Sequence, residues 1–126
     1  VNKTQQRLTS KVMKSSRAPC FINGDNEYVA IGSRSGEGVE VWDVSKKESL
    51  RKLDIDSGWC SASTNNILAF ASGQGELRMW DVRSWEMVKS IKFDGLSAKS
   101  LHLTADSKYL TIGGECGDNC VVLEIK

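Results

Sequence analysis

An all-β chain of about three four-stranded antiparallel units is the fold this sequence predicts, on two observations. A short segment ending in Trp-Asp-Val is written twice, as GVEVWDV at 38–44 and ELRMWDV at 76–82, with Trp42 and Trp80 38 residues apart. Self-similarity at a period of about 20–50 residues is the sequence mark of a repeat architecture. Finally, short apolar runs bounded by Gly, Asn, Asp and Ser recur along the chain, and this spacing leaves little room for a helix.

The elements follow in order. Residues 21–44 (FINGDNEYVAIGSRSGEGVEVWDV), 62–82 (ASTNNILAFASGQGELRMWDV) and 103–125 (LTADSKYLTIGGECGDNCVVLEI) align as copies of one unit. In each, a polar turn (23–27, 64–66, 105–108) leads into an apolar strand (28–33, 67–72, 109–114). A Gly-rich turn then leads into a second strand ending in Trp42-Asp43, Trp80-Asp81 or Leu123-Glu124. Residues 50–55 and 87–93 alternate apolar and polar, as half-buried strands require, and 18–22, 59–63 and 100–104 place one more strand ahead of each copy. The organisation expected is an outer strand or linker over 1–17 and repeats over 18–55, 56–93 and 94–126, the last degenerate because it lacks the Trp and the Asp. Residues 6–13 (QRLTSKVM) alternate too, and fit an outer strand either for the unit before residue 18 or for the third copy.

From about residue 18 to the end, these repeats resemble the WD40 family of β-propellers, whose repeat of roughly 40–45 residues carries a Trp-Asp pair at the end of its third strand. The resemblance implies that each copy is a propeller blade, and that Trp42 and Trp80 are structural wedges between blades with Asp43 and Asp81 completing the motif. The Gly-His pair usual in the family is replaced by Gly58-Trp59 and Gly95-Leu96, so its His-to-Asp bonding does not carry over. Propellers have about four to eight blades, and three copies do not close such a ring. The chain, which starts at Val1, is therefore expected to be the C-terminal part of a longer propeller, or else to self-associate as a homodimer of two three-blade halves.

Composition narrows the partners. The 126 residues carry 17 Lys and Arg against 16 Asp and Glu, a net charge of +1, so no overall field recruits nucleic acid or an acidic membrane. The basic residues near the start (Lys3, Arg7, Lys11, Lys14, Arg17) are interleaved with Ser, Thr and Gln and lack an aromatic platform for bases. No apolar run reaches the ~18 residues of a membrane span, and no signal-peptide core is present, so an intracellular protein, cytoplasmic or nuclear, is expected.

Chemistry is hard to find. Cys116 and Cys120 form one short-spaced pair, whereas zinc asks for four ligands, commonly in two such sets. Cys20 and Cys60 fall on inner strands, where a thiol behaves as a small apolar core residue. The one histidine, His102, lies inside a strand, and the Gly-rich segments lack the Lys and the following helix of a phosphate-binding loop. No catalytic residue, metal or cofactor is expected.

What the resemblance implies instead is a scaffold or adaptor for a protein or peptide partner, including substrate recognition for a larger complex such as a ubiquitin ligase. A structural assembly module of a coat or pore complex is the alternative, and a propeller enzyme is the reading least supported by a single histidine. The loops sharing the top face supply Arg17, Arg34, Trp59 and Glu76 as candidate partner contacts. Trp59 is either an anchor there or a cover for the core. Trp85, in the turn VRSWEMV on the opposite face, either folds back on Arg83 and Met87 or projects as a partner-binding knob.

Overall fold

The computed structural model describes residues 16–24, 27–33, 38–72, 75–93, 99–114 and 120–125, and the structural statements below concern these. They form three antiparallel meanders. The first contains β1 (Ser16–Phe21), β2 (Tyr28–Ser33), β3 (Val39–Asp43) and β4 (Glu48–Leu53). The second contains β5 (Cys60–Thr64), β6 (Ile67–Ala71), β7 (Glu76–Asp81) and β8 (Met87–Lys92). The third has three strands among the described residues, β9 (Ser100–Leu103), β10 (Tyr109–Gly113) and β11 (Val121–Glu124). The strands β1, β5 and β9 lie side by side, so the sheets are blades stacked around a shared inner line.

Registers confirm that the copies are equivalent. Trp42 pairs with Val29, Trp80 with Leu68 and Leu123 with Leu110, each at the end of its blade's third strand. Strand alternation then sends successive residues to opposite neighbours. Leu68, Phe70 and Trp80 of the second blade pack against Ala30, Val39 and Val41 of the first. Ala69, Leu77 and Met79 of the second pack against Leu101, Leu110 and Ile112 of the third. The far face of the third blade has no such cover among the described residues. Val122, which corresponds to the fully buried Val41 and Met79, is 64% exposed, and Tyr109 and His102 stand exposed on the same face.

Local chemistry explains the turns. Asn65 and Asn66 both have positive φ (49° and 62°), the two-residue loop that matches strand twist and favours Asn. Polar links between blades recur at one-repeat spacing. Asn23 and Asn66 exchange amide contacts (Asn23 Nδ2 to Asn66 Oδ1, 3.0 Å; Asn66 N to Asn23 Oδ1, 2.7 Å), and Ser61 Oγ donates to the Ala18 carbonyl at 2.9 Å. On the opposite edge Gly58 N donates to the Ser33 carbonyl at 2.9 Å. A Cβ on Gly58 would lie 2.8 Å from Gly32 Cα and 2.7 Å from Phe70 Cδ1, so only glycine allows the blades this close.

Several boundaries differ from expectation. β1 starts at Ser16, ahead of residue 18, and bulges between Arg17 and Cys20, where Ala18 takes φ 51° and Pro19 has no N–H to pair. The turn after it includes a 3-10 segment, Ile22–Gly24. β4 starts at Glu48, not residue 50, because the left-handed Lys47 (φ 55°) closes the preceding turn early. The alternating segment 6–13 lies outside the described residues.

Candidate functional site

The Trp-Asp pairs divide into two jobs. Trp80 is 3% exposed inside the core shared by the first two blades, and Leu123, which takes its place in the third copy, packs into the core shared with the second. Trp42 is 5% exposed, and its indole Nε1 donates to Glu40 Oε1 at 3.3 Å. Ser49 Oγ holds the other Glu40 oxygen at 2.9 Å, so this buried carboxylate is fully engaged. The aspartates organise turns. Asp43 accepts from Lys46 N and Ser45 Oγ, both at 3.0 Å, and Asp81 accepts from Arg83 N at 2.8 Å. The Lys46 backbone N–H bond holds the Asp43 carboxyl below its ordinary pKa, and the Arg83 guanidinium and backbone N–H do so for Asp81.

The top face carries a more suggestive constellation. Arg17 near the start of β1, Trp59 immediately before β5 and Lys99 immediately before β9 occupy neighbouring positions on three blades. Their side chains converge: the Arg17 guanidinium lies 4.7 Å from the centroid of the Trp59 ring, and Lys99 Nζ lies 6.0 Å from it. Trp59 is half-buried, anchored by its backbone N–H to the Ala71 carbonyl at 2.9 Å. Both cations thus sit within range of one aromatic quadrupole.

Other candidate residues are placed differently. Arg34 lies outside the described residues. Glu76 is held by Arg78 Nη2 at 3.1 Å and Ser90 Oγ at 3.3 Å, while Arg78 reaches back to the Asp54 carboxylate and carbonyl of the first blade. Glu76 therefore takes part in a bridge between blades. Trp85 is half-buried against the core of the first two blades, and the Arg51 guanidinium of the neighbouring blade lies 5.1 Å from its ring centroid. No sequence signal pointed to Arg51 or to the Ser49 contact of Glu40, because these are set by cross-blade and cross-strand register.

The thiols on inner strands are packed. Burial pushes the Cys60 thiol up to about 11 and also raises Cys20, so neither is a thiolate at neutral pH. Cys120 is exposed, and its short-spaced neighbour Cys116 lies outside the described residues. Among the described residues no group of three His, Cys, Asp or Glu is placed to hold a metal ion, and no helix is long and apolar enough to cross a membrane.

Side-by-side antiparallel meanders sharing an inner line, with Trp80 and Leu123 at the ends of third strands packed into the cores between them, define a β-propeller. Among solved structures, the β-propeller domain of Myceliophteria thermophila Cps50 (Swd1) superposes with a TM-score of 0.75 at 15% identity, over 94% of this chain and 38% of its own. A chain of the mitotic checkpoint complex gives 0.71 at 19% identity, over 82% and 32%. In sequence, the chain is 32% identical over 84 residues to the WD repeat-containing protein 3 homolog of Dictyostelium discoideum. It is 29% identical over 101 residues to the E3 ubiquitin-protein ligase COP1 of Arabidopsis thaliana. These alignments cover 65% and 75% of this chain, which spans only 9% and 14% of the two relatives. No protein-family profile matches. The fold is that of a WD40-like β-propeller, and one of the relatives similar in sequence is a WD repeat-containing protein.

Proposed function

We propose that the chain is a protein-interaction scaffold that captures an acidic segment of a partner protein on its top face, through Arg17, Trp59 and Lys99. The observation that carries this reading is the convergence of two cations on one indole, contributed by three successive blades. Aromatic and Arg side chains dominate interface energetics, and a carboxylate that bridges the two cations gains charge-assisted hydrogen bonds while its stem packs on the ring. The similarity to a ubiquitin-protein ligase and to a chain of a checkpoint complex supports an adaptor that brings a partner to a larger assembly.

The test is capture on an array of acidic, neutral and basic peptides, with far-UV circular dichroism as the control for folding. Acidic peptides should be retained in a salt-sensitive manner, and Trp59→Ala or Arg17→Gln should weaken retention by roughly tenfold, the effect of one charge-assisted or cation-aromatic contact. Retention unchanged by Trp59→Ala combined with Arg17→Gln in a folded chain refutes the assignment.

A further inference from the structure

We propose that the cleft between the first two blades on the bottom face is a second, independent peptide site, which accepts one bulky apolar side chain with a carboxylate beside it. The cleft has a volume of about 460 Å³, within the few-hundred to ~1,000 Å³ range of ligand sites. It opens on the face opposite the Trp59 array, because Arg17 lies at the start of β1 whereas the cleft is built on the turn after β1, the first half of β4 and the turn after β7.

Its apolar walls come from both blades, Tyr28 and Leu50 from the first and Val82 and Trp85 from the second. The walls are pre-positioned. Asn23, which lines it, is locked to Asn66 by reciprocal amide contacts, so closing around a ligand requires no movement of one blade against the other. Leu50 is the extra residue of a β-bulge, since Val41 pairs with Arg51 and Trp42 with Ser49. A bulge re-aims the side chain it carries, and Leu50 is left 47% exposed in the cleft wall. Trp85 has φ 60°, and Lys47, four residues after Asp43 as Trp85 is after Asp81, has φ 55°. The left-handed backbone is thus a property of this turn in both blades, and it disfavours large residues. In the second blade it carries an indole that lines the cleft.

Charge gives the cleft a direction. Arg51 lies over Trp85, and it has no carboxylate in ion-pair reach among the described residues. Stacking on the ring leaves the guanidinium edge available for a bidentate carboxylate. Glu27 also lines the cleft and repels a second acid. A polyanion is therefore a poor occupant, and an extended peptide with an apolar anchor and a single neighbouring Asp or Glu is a good one.

The experiment uses fluorescein-labelled decapeptides carrying one central Leu or Phe with an adjacent Asp, and matched peptides with Asn instead, titrated into the chain by anisotropy. The Asp peptides should bind about tenfold or more tightly than the Asn peptides, as expected for one charge-assisted pair. With the top face silenced by Arg17→Gln and Trp59→Ala in every chain titrated, Arg51→Gln, on an exposed outer strand, should erase that ratio, and Val82→Trp should fill the cleft and remove binding of both. Equal binding of Asp and Asn peptides, an Asp preference that survives Arg51→Gln, or no binding by any peptide overturns the proposal. Displacement of bound peptide by ATP would also overturn it, because the cleft would then be a general anion site. Circular dichroism of each variant separates lost binding from lost folding, and a Val82→Trp chain that does not fold is replaced by Leu50→Lys with the same expectation.

Discussion

Replacing Trp80 by Ala tests the wedge role quantitatively. The side chain is 3% exposed and lies with Leu68 and Phe70 against Ala30, Val39 and Val41 of the neighbouring blade. A buried Trp removes about 150–250 Å² from water, and at ~25 cal/mol per Å² this is about 4–6 kcal/mol. A compact unfolded chain already hides roughly 10–40% of such surface, which brings the figure to about 3–5 kcal/mol. That matches the usual cost of truncating a core aromatic to Ala. Leu123 shows that the position accepts Leu in the third blade, and burial of a Leu recovers about 1.5–3 kcal/mol. Trp80→Leu should therefore cost only about 1–3 kcal/mol by the same reckoning. Reversible urea unfolding followed by far-UV circular dichroism reads both numbers. A cost for Trp80→Ala below about 1 kcal/mol, or one no larger than that of half-buried Trp85→Ala, would refute the wedge assignment.

Two further outcomes follow from the same architecture. Val41→Asp buries a charge at a fully covered position and should cost at least about 3 kcal/mol, whereas Val122→Asp at the equivalent but 64% exposed position should stay within about 0.5 kcal/mol; similar urea midpoints for the two variants would contradict the registers. Asp43, Asp81 and Asp106 have carboxyl pKa values lowered in the fold, Asp106 mainly by the Lys108 backbone N–H. The folded chain then binds these protons less readily than the unfolded one, so their contribution is present above the ordinary 3.8 and is lost as pH falls through the lowered values. A triple Asp→Asn variant should melt lower at pH 7 and show a flatter loss of Tm below about pH 4; an unchanged acid slope would count against the caps.

What could be read from the sequence was set by local pattern. Hairpins announced by Asn65-Asn66 and strands alternating around Trp42 and Trp80 need only period and turn chemistry, and their positions agree with the sheets to within two residues. The convergence of Arg17, Trp59 and Lys99 was half legible: loop order places Arg17 and Trp59 on one face, but it does not bring Arg17 and Lys99 within 4.7 and 6.0 Å of the Trp59 ring. The packing of Trp85 against the core of the first two blades and under Arg51 was not legible, because it depends on a left-handed turn and on the stagger between blades, neither of which the turn sequence reveals. For Glu76, the neighbour Arg78 two residues along the same strand was visible, but not that Arg78 also reaches Asp54 of the first blade.

The polar links between blades have a kinetic consequence. Ala18 to Ser61, Asn23 to Asn66 and Thr64 to Ser107 each join residues 43 positions apart. Closing a loop of that length costs little more than closing a shorter one, about 0.6 kcal/mol for each doubling, and the cost is the same at every step. A newly made blade can dock on its predecessor as soon as about one more repeat has left the ribosome, without waiting for distant sequence. Assembly then proceeds in the direction of synthesis, and each added blade shields the apolar face that the previous one had presented to solvent.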